Sequence, residues 1–381
     1  MGDLGEMRKF ADMKRFLFFV VIVTTLAVRG EVPQISLLTA LPGEQIYELE
    51  GHTGLRVRTQ GSDMVVNWGV FDFNSPNFVY RFVKGESDYL CAAYPTEFFL
   101  EDYRSQGRAV VEQPLLLDSV QTVRLIELLE ENLLPENRVY RYNYVKDNCA
   151  TRPLMLVEQA AGTQLISPDR TRTSFRSEMQ RYHRNYPWYQ FGIDLALGRG
   201  IDAPIGNREA AFAPVTLMEE VEHSPIAGPA QIIGEQTLTQ HSTPWLLTPI
   251  LVSLMVLILS VVVRGVTAKV FDSLLFTVYG LAGCILFFLV FVSTHEATSP
   301  NLLLLWLNPL CLIGAVLPWI KSAKKLKVCY FFLNFALIIL LAILAPLLGR
   351  HMNAAFWAFM TAGLVRSFAN ISHICRKKRH S

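Results

Sequence analysis

The apolar residues of this chain are segregated, and that segregation limits what it can fold into. From Glu31 to about Thr243 the sequence reads as a mixed globular segment; from Trp245 onward it is mostly hydrocarbon, broken by short polar loops. Five runs come near or exceed the ~20 residues that a bilayer-spanning helix needs. They are Trp245–Val263, Val270–Ser293, Asn301–Ile320, Val328–Leu348 and Ala354–Ile374. The last carries Arg366 and Asn370, so an interfacial helix competes with a span there. A mean hydropathy of +0.29 with 18% charged residues excludes both an ordinary soluble domain and a disordered chain. The net charge of +2 gives no global field directed at nucleic acid.

The N-terminus differs from these runs. Arg8, Lys9, Lys14 and Arg15 precede a short apolar stretch, Phe16 to Val28. A charged start before a short apolar core reads as a secretory signal over residues 1–30, with an uncleaved anchor as the alternative. The loops after the first, third and fifth runs hold Arg264 and Lys269, then Lys321, Lys324, Lys325 and Lys327, then Arg376, Lys377, Lys378 and Arg379. The alternate loops hold His295 and Glu296, then Arg350 and His351. Positive charge at every second loop marks the cytoplasmic side. The expected organisation is an extracytoplasmic domain over 31–243, followed by a transmembrane domain over 244–381.

Within the outer domain, Gln34–Leu41 ends at the turn signal Pro42-Gly43. Leu55 to Arg58 alternates, Gln60-Gly61-Ser62-Asp63 turns, and Met64 to Gly69 returns, which predicts a hairpin with His52 near Asn67. Short helices are expected at 77–83 and 96–105, and strands at 88–94 and 109–113. Asp118 with Gln121 forms a capping box for a helix with Val120, Val123 and Leu128 on its core face. Val139 to Val145 reads as a strand. Pro153 belongs in the first turn of a helix, which puts the helix start at Cys149 to Arg152.

Cys149 therefore follows a strand and opens a helix. There the helix dipole and free N–H groups are expected to lower the thiol pKa, and the same donors can stabilise an oxyanion. A thiol at a helix start with a histidine on a neighbouring strand is the minimum apparatus for acyl transfer through a thioester. The candidates are Cys149, His52 and Asn67. The bland alternative is a buried cysteine and a turn histidine, and Cys91 and Cys149 also admit a disulfide in an oxidising compartment.

Several blocks carry a resemblance. Ile35 to Thr39 with Pro42-Gly43, Gly51-His52-Thr53 and Arg56 form the first; Asn67, Gly69 and Phe71-Asp72-Phe73-Asn74 the second. Gly107-Arg108, Glu112-Gln113, Glu136 to Tyr144, Asp147 to Arg152 and Phe191 to Gly198 complete the set. The chain resembles the Lnb-type bacterial lipoprotein N-acyltransferases over most of its length. The resemblance implies an α+β fold: a permuted papain-like cysteine domain in which the histidine precedes the cysteine, followed by five transmembrane helices. It implies Cys149 as nucleophile, His52 as base and Asn67, or failing that Asp72, as the third residue. It also implies a phospholipid acyl donor and a diacylated lipoprotein as acceptor, at the bacterial inner membrane.

Arg56 and Arg152 are candidates for phosphate binding near the thiol, or for neutralising Glu50 and Asp147. Asp72, Tyr144 and His295 complete the candidate substrate-binding set. Asn308 and Arg366 are polar groups within apolar runs, where burial is costly. His183, Asp194, Asp202 and Arg208 read as fold-closing. No metal-binding or glycine-rich phosphate motif occurs, so no cofactor is expected. Two other functions remain open at this level. The same dyad serves a hydrolase with water as acceptor, cutting peptidoglycan amides or lipid esters. A non-enzymatic membrane scaffold is the third.

Overall fold

The computed structural model describes residues 32–71, 76–167, 171–172, 174–238 and 243–379. The signal segment over 1–30 and Asp72 lie outside them. The described residues form two compact units. One takes the residues up to Phe82, Glu86–Tyr182 and those from Pro204 to Gln240; the other takes Val83–Gly85, His183–Ala203 and those from His241 on.

The first unit is a mixed α/β domain around a seven-stranded antiparallel sheet. Its strands are β1 (Gln34–Ala40), β2 (His52–Arg58), β3 (Asp63–Val70), β4 (Asp88–Pro95), β5 (Val110–Leu115), β6 (Val139–Arg141) and β9 (Gln231–Ile233). They run in the order β6-β4-β3-β2-β1-β5-β9. A separate two-stranded ribbon pairs β7 (Thr171–Arg172) with β8 (Ile205–Gly206). The helices along this stretch are α1 (Phe78–Lys84), α2 (Thr96–Ser105), α3 (Ser119–Leu133), α4 (Thr151–Ala161), α5 (Phe175–Tyr182), α7 (Asn207–Ala210) and α8 (Pro214–Glu222). The β2–β3 hairpin pairs Gly54 with Asn67 and Arg58 with Asp63.

Two cores flank the sheet. Leu38, Val65, Phe99 and Tyr103 pack on the α2 side. Leu55, Val66, Trp68, Leu125, Leu129 and Leu154 pack on the side of α3 and α4. The capping box forms as expected: Gln121 N donates to Asp118 Oδ1, and Asp118 N donates to Gln121 Oε1. The buried stripe of α3 corrects the sequence reading in part. It runs through Thr122, Leu125, Ile126, Leu128, Leu129 and Leu133, so Leu128 lies on the core face as expected. Val120 and Val123 point outward, 76% and 55% exposed. The expected strand over 139–145 stops at Arg141, because Asn143 and Asp147 close a tight turn by bonding each other's backbone.

The second unit is helical. Helix α6 (Pro187–Ala196) belongs to it, with α9 (Pro249–Val262), α10 (Gly265–Phe291), α12 (Lys324–Leu347) and α13 (Ala354–Arg379). By length and apolar composition α10 and α12 suffice to cross a membrane. The first run is shorter as a helix than expected: Trp245–Leu247 is a 3-10 turn and Pro249 opens α9.

The third run is not one helix. It consists of a 3-10 turn (Leu302–Leu305), an irregular stretch around Asn308-Pro309, and a short helix α11 (Cys311–Val316) followed by the 3-10 turn Leu317–Trp319. Pro309 and Pro318 cannot donate the bonds a continuous helix needs. Irregular backbone at membrane depth is tolerated where protein covers it, and Leu303, Trp306, Leu307 and Cys311 are buried. Gly283 makes the cover possible: a Cβ there would lie 2.5 Å from Asn308 Cα, so only glycine admits this approach.

Helix α13 is tied to α10 by a buried polar network. Arg366 is buried and bonds Asp272 of α10 through Nε to Oδ1 at 2.5 Å and NH2 to Oδ2 at 3.1 Å. Asn370 donates to the same carboxylate at 2.8 Å. Two of the four late polar residues, Asp194 and Asp202, tie α6 and its following turn to the loop before α13. Asp194 accepts from Gln190 at 2.9 Å and from Asn353 at 2.8 Å. Arg350 donates to the Asp194 carbonyl at 2.7 Å and to Asp202 at 3.0 Å, and His183 bonds Gln190 at 2.8 Å. Arg208, in the first unit, pairs with Glu158 at 2.6 Å.

Candidate active site

Asn148 builds the backbone around Cys149. It is buried, and its Oδ1 accepts from the N–H of Ala150 at 2.8 Å and of Thr151 at 3.0 Å, two otherwise orphaned donors at the start of α4. Its Nδ2 donates to the carbonyls of Tyr144 at 2.8 Å and Phe212 at 3.0 Å. Pro153 lies in the first turn, as its missing N–H requires. Cys149 is thus held just ahead of the helix, partly exposed, with a free thiol; Cys91 is free and buried.

His52 opens β2. Its ring lies against Phe99 and Tyr103 of α2, with centroids 6.4 and 6.2 Å away. Its Nε2 is 2.6 Å from Asn67 Oδ1 on β3. Asn67 in turn donates from Nδ2 to the Tyr94 hydroxyl at 2.7 Å. An amide oxygen accepts only, so Nε2 carries the imidazole proton and Nδ1 is the basic nitrogen.

Gly69 joins the two halves. It forms an irregularity in the β3–β4 pairing, between Trp68 and Val70, with φ +90°. A Cβ at Gly69 would lie 3.7 Å from both Cys149 Cβ and His52 Cε1. Cys149 packs with the core under α3 and α4, whereas the His52 ring leans on α2. The two meet where β3 has no side chain between them.

The electrostatics correct the expectation of a lowered thiol pKa. Burial pushes the Cys149 thiol up to about 12, while backbone hydrogen bonds from Thr53 and from Cys149 itself pull the other way. The nearby Glu50 carboxylate raises it further. Burial also lowers His52 to about 4, against the hydrogen bond it donates to Asn67. Desolvation is the largest of these influences on the thiol. The resting pair is a neutral thiol and a neutral imidazole.

Tyr144 donates to Glu50 Oε1 at 2.6 Å. Arg56 is committed to Asp63, at 2.7 and 2.5 Å, and to Glu112 at 2.8 Å; it does not neutralise Glu50. Arg152 pairs with Asp147 at 2.5 and 2.9 Å and covers the Tyr140 ring at 3.7 Å. Both guanidinium groups are spent on carboxylates, and neither presents an open fork for phosphate. His295 belongs to the second unit, in the loop after α10. Asn308 lies in the turn before α11, where its carbonyl accepts from Cys311 N at 3.0 Å. Among the described residues no cluster of His, Cys, Asp and Glu is arranged to hold a metal. Sequence reasoning did not single out Tyr94 or the capping role of Asn148, and it named Glu50 only as a charge to be neutralised, not as the partner of Tyr144. Tyr94 and Glu50 reach their partners across 27 and 94 residues, and no local pattern announces such a contact.

These features define a membrane protein with a mixed α/β outer domain that gathers a cysteine, a histidine and an asparagine at one end of a sheet. Residues 25–177 match the family model of the Lnb N-terminal periplasmic domain, and residues 236–378 match that of the Lnb transmembrane domain. The chain belongs to the Lnb family, and its outer domain is periplasmic. Membership makes it a lipoprotein-processing protein of the membrane. No curated protein and no solved structure matches it.

Proposed function

We propose that the protein is a cysteine-dependent lipoprotein N-acyltransferase with a permuted papain-like catalytic domain. Cys149 attacks the ester carbonyl of a membrane phospholipid while His52 Nδ1 takes the thiol proton. The S–C bond forms, the ester C–O bond breaks, and His52 returns the proton to the departing lysophospholipid. The α-amine of a diacylated lipoprotein's N-terminal cysteine then attacks the thioester. A C–N bond replaces the C–S bond, and a proton from the amine restores the thiol. Backbone donors at the start of α4 are suited to the oxyanion of each tetrahedral intermediate.

The observation that carries this reading is the convergence of Cys149 and His52 on Gly69, with His52 oriented by Asn67 at 2.6 Å. A neutral pair with a thiol near 12 and an imidazole near 4 stores no thiolate at rest. Proton transfer must accompany attack, as general-base catalysis allows. The test is mass spectrometry of lipoprotein N-terminal peptides from a host without another transferase. Expression is expected to add one acyl chain to the amine, and Cys149→Ser to abolish it. Diacylated peptides that remain unchanged on expression refute the transferase.

A further inference from the structure

A carboxylate stands beside the thiol, where it opposes the charge that the first half of the reaction needs. Glu50 is only 9% exposed. Its negative charge disfavours a thiolate at Cys149 and acts on Tyr142 as well. A like charge next to a nucleophile hinders formation of its anion. The same charge favours a cation that arrives at the sulfur. In the proposed cycle the acceptor is the reactant whose reacting group is a cation, the α-ammonium; water in the same place would bring no charge.

The carboxylate is fixed by the elements that also fix the thiol. The Tyr144 hydroxyl donates to Glu50 Oε1 at 2.6 Å. The Tyr144 carbonyl accepts at 2.8 Å from Nδ2 of Asn148, the residue that precedes Cys149 and caps α4. The Phe212 ring meets the Tyr144 ring edge-on, with centroids 5.9 Å apart, and the Phe212 carbonyl also accepts from Asn148 Nδ2 at 3.0 Å. The Glu50 carbonyl accepts from Val215 N at 3.2 Å. Gly51 then turns the chain with φ +84°; a Cβ there would lie 2.6 Å from the Ala40 carbonyl oxygen, so the turn is built for glycine. His52 and Thr53 follow, His52 bonded to Asn67 and the Thr53 N–H to the Cys149 sulfur. The segment from Glu50 to Thr53 thus brings a carboxylate, an imidazole and an amide donor to one thiol. Cys149 and Tyr144 are both partly exposed, which leaves this side of the sulfur open to an entering group.

We propose that Glu50 recognises the acceptor: its carboxylate binds the α-ammonium of the incoming N-terminal cysteine beside the acyl-Cys149 thioester and takes its first proton. The free amine then attacks the thioester carbonyl, the C–N bond forms, and the sulfur leaves with the electron pair of the C–S bond. A second proton from the nitrogen passes through His52 to the sulfur, the third stays on the amide, and Glu50 releases its proton to solvent. The inference rests on the reading of Cys149 as the acylated nucleophile.

The test uses the full chain in phospholipid nanodiscs, with acyl-Cys149 formed from the bilayer lipid. Transfer to a synthetic diacylated lipopeptide is compared with transfer to neutral hydroxylamine, a nucleophile without charge. Glu50→Gln keeps an oxygen for the Tyr144 hydroxyl and is expected to lower the ratio of the two rates about tenfold, the worth of one charge-assisted hydrogen bond. Glu50→Asp keeps the charge and is expected to recover part of the loss. An unchanged ratio in Glu50→Gln overturns the proposal. A second measurement needs no variant. On the unaltered protein, a lipopeptide with an N,N-dimethylated α-amine, still a cation with one N–H, is expected to inhibit transfer about tenfold more strongly than its neutral N-acetylated counterpart. Equal inhibition overturns the proposal even where Glu50→Gln does not fold. Failure of the unaltered protein to form any acyl-Cys149 overturns instead the underlying reading of the site.

Discussion

The Nε2 of His52 lies 2.6 Å from Oδ1 of Asn67, and this contact determines which imidazole nitrogen is the base. Asn67→Ala frees the ring to turn and to change tautomer. Activity is expected to fall about 100-fold, the usual consequence of a misplaced catalytic group. Tyr94→Phe removes only the bond that orients the amide and is expected to cost about two- to tenfold. Steady-state rates with a fixed donor and acceptor check both, and an Asn67→Ala variant of normal rate removes Asn67 from the mechanism.

The neutral resting pair predicts a particular pH dependence. With the thiol pushed from 9.0 to about 12, its alkylation by iodoacetamide keeps rising with pH beyond 9, where the unfolded chain levels off. Glu50→Gln removes a neighbouring negative charge and moves that rise to lower pH. His52, lowered from 6.5 to about 4, is the free base down to about pH 4, so the acid limb of acylation falls there and not near 6.5. Between these two values the unfolded chain binds the proton that folded His52 refuses. Stability therefore rises with pH across that window, and His52→Ala removes that part of the slope in a pH series of unfolding curves.

Gly69→Ala tests the passage between the two core faces. The residue has φ +90°, a conformation that costs an L side chain roughly 1–2 kcal/mol. Its methyl group would also touch both Cys149 and His52. Acylation is expected to fall far more steeply than thermal stability, measured on the same preparation. A loss of stability without a change in the acylation rate of the folded fraction contradicts the placement.

The Arg366–Asp272 pair, buried within the second unit, predicts a stability effect. Removal of either partner strands a buried charge and is expected to cost about 3–5 kcal/mol. Replacement of both together restores much of the loss, since no charge is then left unpaired. Thermal unfolding in detergent of the two single variants and the double variant checks this.

Local signals were legible in the sequence. The β2–β3 hairpin, the helix over 96–105, the Asp118–Gln121 box and the start of α4 at Pro153 each depend on neighbouring residues. The misreadings have physical reasons. Val120 and Val123 are apolar but lie off the face that the stripe from Thr122 to Leu133 presents to the sheet. The third apolar run met the length of a span, but Pro309 and Pro318 divide it and Gly283 gives the break a place to pack. The thiol was misjudged because a helix start is visible in sequence and desolvation is not. The proximity of His52 to Asn67 followed from hairpin register, whereas Glu50 and Tyr94 depend on tertiary closure.

The most direct measurement of the central claim is intact mass spectrometry of the full chain in phospholipid nanodiscs, before and after a synthetic diacylated lipopeptide is added. The account predicts one acyl chain on Cys149, released by neutral hydroxylamine and absent in Cys149→Ala, which then moves to the lipopeptide amine. An unmodified Cys149 together with an N-acylated lipopeptide, or an acyl-enzyme that yields only free fatty acid, would contradict it.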